Sequence, residues 1–392
     1  MTVFQPPTLD EADLEVLRLI DETRGELGRY VATPRRWFGT LRRMTLARAV
    51  QGSNSVEGYN ASLDDVAAAL DDEPTLNADE ATAFALAGYR DAMTYILQLA
   101  EDRDVAVDEG LLKALHFMML KHELAKWPGR WRPGEIFVRD EANGRLVYTG
   151  PDADDVPPLI AEFIRSLADD TGPVLVRAAM AHLNFVMIHP FRDGNGRMAR
   201  AVQTLVLARE NIAAPVFSSV EEYIGRNTPA YYAVLAEVGQ GSWHPERNAL
   251  PWVRFCLTAH YHQARTHLRR IQEIEALYAA CARLAREHGL PERTVGALVE
   301  ASFGLRLRNA TYRRVVEQAE GEEISEQTAS RDLKALVDAN LISAYGKNRA
   351  RYYLASDKVK ARWQDVRDSR PPRDEFDPFA VARKRLAPQL DL

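Results

Sequence analysis

Cysteine is nearly missing from this sequence. Only Cys256 and Cys281 occur, and neither belongs to a Cys-x-x-Cys pair, which excludes a disulfide framework and a zinc knuckle. No apolar run approaches the roughly 18 residues that a membrane-spanning helix needs, so no membrane partner is expected. There is no surplus of basic charge: 50 Lys and Arg stand against 56 Asp and Glu, a net charge of −6. That argues against binding of nucleic acid over the whole surface and leaves room only for a local basic patch. The first twenty residues are acidic and lack a basic stretch leading into an apolar one, so a secretory signal is not expected and the expected location is cytoplasmic. Hydrophobic residues at 46% and charged residues at 27% are ordinary globular amounts, enough for a sizeable core.

The 392 residues suggest about two or three domains. Ala, Leu, Glu and Arg recur with apolar residues three and four apart, which predicts a mainly α protein. An N-terminal helical region is expected over 1–76, with one helix beginning at Ser62, a good N-cap. A larger helical body is expected over 77–270. It holds one insert, EIFVRDEANGRLVYTGPD, where strand formers flank Asn143-Gly144 and predict a β-hairpin. A hairpin edge can pair with an extended peptide. A third unit is expected over 271–356. The remainder, 357–392, is read as a tail, loosely ordered from Ser369 onward because of its prolines and mixed charges.

The chemistry gathers in His189-Pro-Phe-Arg-Asp-Gly-Asn-Gly-Arg-Met-Ala-Arg200, a short loop between two helical stretches. Its Gly194-Asn195-Gly196 stands where the second helix begins. Free N–H groups and the dipole at such a terminus attract anions, and flanking glycines let a phosphate come close. Arg197 and Arg200 lie three apart and can neutralise a polyphosphate. Asp193 is a hard oxygen ligand suited to Mg²⁺, and His189 is suited to accept a proton near neutral pH. No Ser or Cys adjoins His189, so these parts fit phosphoryl or nucleotidyl transfer rather than a nucleophilic triad. The same glycines satisfy a dinucleotide fingerprint, with Glu221 and Glu222 about twenty residues on. Against that reading, Arg192 and Asp193 precede the glycines where a buried strand should end, and no succession of βα units follows.

The twelve residues resemble the signature of the Fic family, HPFx(D/E)GNGRxxR, at every specified position. PGRWRPGE, the hairpin and YIGRNTPAYY look similar too, so the resemblance covers roughly 77–249. It implies a Fic-type helical bundle with the hairpin as a flap that registers a target segment. It further implies that His189 deprotonates a target protein's hydroxyl, which attacks the α-phosphate of ATP and expels pyrophosphate. Asp193 would hold Mg²⁺. Gly194, Asn195 and Gly196 would form the anion hole, with Arg197 and Arg200 on the outer phosphates and Phe191 fixing the loop from the core. Tyr223, Asn227, Tyr231 and Tyr232 fall where the family has adenine-pocket residues, and of these Tyr231 is taken as a nucleotide contact, although aromatics at that spacing also serve packing.

Ser53-Asn-Ser-Val-Glu57-Gly58 resembles the family's inhibitory motif (S/T)xxxE(G/N). The resemblance implies that Glu57 pairs with Arg200 and denies that arginine to the γ-phosphate. Read alone, the segment is a helix end with Gly58 as its stop. The expectation is an autoinhibited protein AMP transferase. The alternatives are a nucleotide-sensing DNA-binding regulator and a hydrolase removing AMP at the same site.

Residues 271–356 look like a winged helix-turn-helix. Ser325 caps a helix whose Leu333, Leu336 and Val337 face inward while Gln327, Ser330, Arg331 and Lys334 face outward, as a groove-reading helix would require. Lys347, Arg349 and Arg351 lie in the expected wing. Glu317, Glu320, Glu322, Glu323 and Glu326 crowd its approach and would repel a phosphate backbone. DNA binding and protein docking both stay open for this unit, as does a homodimer. His116, His122 and His182 lie on helices with apolar neighbours and are expected to be core or surface residues rather than metal ligands.

Overall fold

Helix formers at helical spacing dominate the chain, and helix is what it builds. The computed structural model describes residues 2–99, 102, 105–139, 144–169, 171–209, 219–370 and 376–387. In chain order the helices are α1 (Glu11–Val31), α2 (Phe38–Val56), α3 (Leu63–Leu70), α4 (Glu80–Leu99), α5 (Glu109–Leu120), α6 (Val156–Ala168), α7 (Val174–Ile188), α8 (Asn195–Arg209), α9 (Glu221–Arg226), α10 (Thr228–Gly239), α11 (Leu250–Glu287), α12 (Val295–Ser302), α13 (Asn309–Glu320), α14 (Glu326–Asp338), α15 (Asp357–Asp368) and α16 (Pro378–Leu386). Strands β1 (Phe137–Arg139) and β2 (Leu146–Thr149) form the expected hairpin between α5 and α6. Asn143 of its turn lies outside the described residues. Strands β3 (Ile342–Tyr345) and β4 (Tyr352–Ala355) form a second antiparallel pair after α14.

Helix α7 is apolar nearly all round because it is buried nearly all round. Phe185 and Ile188 join one core with α4, α5, α6 and α8, while Leu183 and Met187 join another with α1, α10 and α11. Burying each such side chain stabilises by about 1.5–3 kcal/mol. A third core holds α12 to α15 against the far half of α11. The sequence boundary between 270 and 271 therefore falls inside one helix of 38 residues, whose Trp252 and Leu257 serve one core and whose Ile271 and Leu284 serve another.

Helix α2 has an unusual position. Leu41 belongs to the C-terminal core, Ala47 and Val50 to the central one, and Val56 to that of α1 and α11. Polar bonds tie it to the C-terminal unit as well: Arg43 donates to Glu300 of α12 at 2.9 Å. Where α2 crosses α9, Gly52 meets Gly225. A Cβ on Gly225 would stand 2.6 Å from the Gly52 Cα, so the two backbones touch and no side chain fits between them.

The tail departs from expectation. Asp377 caps α16 by accepting from the Phe379 N–H at 3.0 Å. Ala382 is fully buried, Arg254 lies over the Phe379 ring, and Arg385 pairs with Glu22 at 3.1 Å. Pro378, Asp377 and Arg385, expected to belong to a loosely ordered tail, instead start a helix and anchor it. Among the described residues, no helix is long and apolar enough to cross a membrane.

Candidate active site

The loop 189–194 links the end of α7 to the start of α8, and each of its parts is held by a bond that can be named. His189 ends α7 in the left-handed region with φ 51°, a conformation strained for a side chain with a Cβ. Arg132 secures it: its Nε donates to the His189 carbonyl at 2.9 Å, and its backbone N–H donates to that of Pro190 at 2.9 Å. The His189 Nδ1 lies 3.0 Å from the Val186 carbonyl. A carbonyl only accepts, so Nδ1 carries the proton and Nε2 keeps its lone pair. Burial, aided by the Arg132 charge, lowers the His189 pKa and keeps the ring neutral at pH 7.

The Asn195 side chain locks the loop. It accepts from the Phe191 N–H and donates to the Phe191 carbonyl, both at 2.9 Å. Phe191 is fully buried, with the His116 ring stacked on it at 3.6 Å. Gly194 accepts the first bond of α8 from Met198, which leaves the N–H groups of the first turn as an anion cradle.

A carboxylate already lies at that cradle. Glu57 follows directly on α2, and its Oε1 sits against Gly196 so closely that a Cβ there would displace the carboxylate. The same oxygen accepts from the Arg200 Nη2 at 2.6 Å. Ser53, one turn earlier, accepts from the Arg200 Nε at 2.8 Å and, through its carbonyl, from Nη2 at 2.9 Å. Burial works to lower the Arg200 pKa, but the Glu57 charge and hydrogen bond, together with neighbouring Tyr231 and Tyr89, outweigh it and raise it. The helix-end reading and the ion-pair reading of residues 53–58 thus both hold, with Gly58 at φ 82° stopping α2. Unmet donors remain. Among the described residues, the Arg200 Nη1 and the Arg197 Nε and Nη1 are buried with no hydrogen-bond partner, and the Arg197 guanidinium lies over the Tyr59 ring at 5.1 Å. Buried guanidinium donors in that condition are suited to phosphate oxygens.

Asp193 is partly exposed beside the cradle, with Lys126 Nζ at 2.7 Å. Burial raises its pKa, but the Lys126 bond and charge outweigh that and hold the carboxyl below its ordinary range. Among the described residues, no group of three or more His, Cys, Asp or Glu gathers to hold a metal. One carboxylate still fits Mg²⁺, which keeps waters and takes its other ligands from substrate phosphates. His116 supports Asp193 from below. Gly129 N–H donates to its Nδ1 at 2.8 Å, which fixes Nε2–H as donor to the Asp193 carbonyl at 2.9 Å. The hairpin is tied to the same place: the Tyr148 hydroxyl donates to the Met187 carbonyl at 2.8 Å.

The sequence-derived set, His189, Asp193, Gly194, Asn195, Gly196, Arg197, Arg200, Ser53, Glu57 and Gly58, converges here. Tyr231, expected to be a nucleotide contact, lies beneath Arg200. It is 1% exposed, its ring is under Arg200 at 6.0 Å, and its hydroxyl meets His182 at 3.1 Å. Its neighbour Tyr232 is exposed and donates to the Val56 carbonyl at 3.1 Å, holding the end of α2. Tyr223 packs on Phe255 and stacks on His262, and Asn227 donates to the Tyr223 carbonyl. Lys126, Arg132 and His116 had not been singled out for the site. Arg132 stood within a quoted motif, but nothing local marks Lys126.

Residues 106–207 match the model of the Fic/DOC family. Among curated proteins, "Protein adenylyltransferase Fic" of Nematostella vectensis is 24% identical over 247 residues, 61% of this chain and 54% of that protein. "Protein adenylyltransferase fic-1" of Caenorhabditis elegans is 30% identical over 148 residues, 37% of this chain and 26% of that one. The chain thus spans about half or less of the length of these relatives. A solved Fic family protein from Desulfovibrio desulfuricans G20 superposes with a TM-score of 0.57 at 25% identity, covering 90% of this chain and 99% of that one. Fic-1 from C. elegans shares the fold, with a TM-score of 0.51 at 22% identity over 66% of this chain and 73% of its own.

Proposed function

Given a chain that carries a Fic domain, we propose that it moves AMP from ATP to a hydroxyl side chain of a protein, and that Glu57 restrains the reaction. The observation that carries this reading is the pairing of a neutral imidazole, free at Nε2, with a helix N-terminus bearing two buried arginines with unmet donors. In the reaction, the His189 Nε2 takes the proton of the target hydroxyl. The hydroxyl oxygen bonds to the α-phosphorus of ATP, the bond to the bridging oxygen breaks, and pyrophosphate leaves. Amides at the start of α8, with Arg197 and Arg200, bind the outer phosphates and favour the charge that builds on the leaving group. Asp193 would hold Mg²⁺, which when bound neutralises phosphate charge. The edge of β1 and β2 offers backbone pairing to an extended target segment.

Glu57 opposes this in two ways: it occupies the Arg200 donor that the γ-phosphate needs, and it sets negative charge in the cradle. Incubation with α-labelled ATP and Mg²⁺ tests the whole scheme. Glu57→Gly is expected to label itself or added protein more than wild type does. His189→Ala is expected to lose about 10²–10⁴-fold in transfer while still binding ATP. Labelling that persists undiminished in His189→Ala would end the assignment.

We read the C-terminal unit, α12 to α14 followed by β3 and β4, as a winged helix that docks protein. On α14, Gln327, Ser330, Arg331 and Lys334 are exposed, but so are Glu317, Glu322, Glu323 and Glu326 beside them. That acidic border favours a protein partner over duplex DNA. A salt-sensitive shift of duplex DNA by the full chain would overturn this.

A further inference from the structure

A buried cation needs an anion beside it at every stage, because a charge kept out of water without a partner is costly. Arg200 is such a cation. Its side chain is fully buried, and its one ion pair among the described residues is with Glu57. When the end of α2 withdraws, Arg200 loses that carboxylate and both Ser53 bonds together. Until a phosphate arrives it needs another counter-charge, and α9 carries a candidate. Glu221, the first residue of α9, is 1% exposed. Its Oε1 accepts from the hydroxyl of Thr204, one turn beyond Arg200 on α8, at 2.9 Å. Its Oε2 is buried with no hydrogen-bond partner among the described residues, as is the Arg200 Nη1. The Tyr89 hydroxyl of α4 is buried beside Ser53 and Glu221 and makes a well-aligned bond to neither. From α2, the Gly52 backbone lies against the Glu221 carbonyl. The adjoining Glu222 is engaged elsewhere, accepting from Arg270 at 2.5 and 2.7 Å. Arg200 and Tyr89 are thus the titratable groups that face Glu221. Burial pushes its carboxyl up to about 7, against the opposing pull of Thr204, Tyr89 and Arg200.

We propose that Glu221 is a positioning residue for Arg200: it supplies the counter-charge while neither Glu57 nor a phosphate does, and so keeps that guanidinium in place for the γ-phosphate. With Glu57 bonded to Arg200, the arginine is already matched, and burial leaves Glu221 protonated up to about pH 7. With Glu57 gone, the Arg200 charge acts on Glu221 unopposed and favours the ionised form, so the proton passes to water. A phosphate arriving on Arg200 reverses this, and the proton returns. Two carboxyls thus share one cation in turn, and their titrations are linked. The order of these events rests on the reading of Glu57 as a brake. The fit of Glu221 to Arg200 rests on burial and on the two unbonded atoms.

The test uses the full chain. In melting curves without ATP, Glu221→Gln is expected to stay close to wild type, whereas Glu57→Gly/Glu221→Gln falls by several degrees more than the two changes together predict. Additive changes overturn the proposal. Carbon-13 resonances of labelled glutamate carboxyls give a second measurement, which holds even where Glu221→Gln fails to fold. A buried carboxyl that titrates near pH 7 in wild type should titrate at clearly lower pH in Glu57→Gly, and saturating ATP on the His189→Ala background should bring it back up. A midpoint that does not move when Glu57 is removed overturns the exchange of counter-charge. In labelling assays, adding Glu221→Gln to Glu57→Gly should raise the KM for ATP severalfold with little change in kcat; an unaltered KM overturns the positioning role. If Glu57→Gly labels no better than wild type, the brake reading fails by itself. The melting cycle and the titration need no turnover and still decide the role of Glu221.

Discussion

Replacing Glu57 with glycine should have two effects of opposite sign, and their combination is hard to produce by accident. The Arg200 side chain is fully buried, and its Nη2 is bonded to a carboxylate that is 27% exposed. A hydrogen bond between charged groups contributes about 1.5–3 kcal/mol. The exposure of Glu57 argues for the lower half of that range. Without ATP, Glu57→Gly should therefore be less stable by about 1–2 kcal/mol. On the proposed reading ATP displaces the same carboxylate in wild type, so the same energy opposes its binding. Removing it should tighten ATP by about 5–30-fold, since each 1.4 kcal/mol is a factor of ten. Saturating ATP should consequently restore thermal stability more in the variant than in wild type, because a γ-phosphate then takes the vacated donors. Melting curves with and without ATP, made on the His189→Ala background to prevent turnover, give both quantities. Equal ATP stabilisation of the two proteins would refute the claim that Glu57 and the γ-phosphate compete.

Further expectations follow from the supports of the loop. Burial pushes His182 and His267 down to about 3 and His116 to about 4. The unfolded chain takes up protons below about pH 6.5 that the folded chain refuses, so stability is constant above that pH and is lost as pH falls towards the folded values. Each imidazole should cost about 2 kcal/mol at pH 5; a urea midpoint unchanged between pH 7.5 and pH 5 would contradict their burial as neutral rings. His116→Phe keeps a ring on Phe191 but leaves the Gly129 N–H and Asp193 carbonyl unpaired, at about 2–4 kcal/mol. It should also raise the Mg²⁺ concentration needed for half-maximal labelling; an unaltered Mg²⁺ requirement would show that Asp193 does not depend on that support. Arg132→Leu removes the bonds that hold the His189 and Pro190 carbonyls, and a misplacement of about 1 Å can cost some 10²-fold in rate. Labelling at wild-type rates by a folded Arg132→Leu would mean the loop holds itself.

Legibility followed the reach of each interaction along the chain. The segment from His189 to Arg200 could be read because its logic is local: a helix ends, six residues turn, and a second helix opens onto glycine. Residues 53–58 were legible locally only as a helix end stopped at Gly58, whereas the bond from Arg200 to Glu57 spans 143 positions and was expected from the resemblance alone. Lys126 reaches Asp193 across 67 positions of sequence, and no pattern of neighbours announces it. The extent of α11 was missed because its apolar stripe never breaks while the partner it packs against changes midway. The helical part of the tail was missed because prolines were read as disorder, although Pro378 is placed where a helix start tolerates one. Tyr231 shows the converse: the resemblance offered it as a nucleotide contact, and only the structure shows its ring beneath Arg200.

The contact between Gly52 and Gly225 bears on how the proposed restraint would be released. Two backbones in touch leave no half-seated arrangement, since sliding α2 by one residue would drive a side chain into the backbone of α9. The proposed restraint by Glu57 would therefore act as a latch rather than a dial, and intermediate rates in a population are expected to report the fraction of open molecules, not partly inhibited ones.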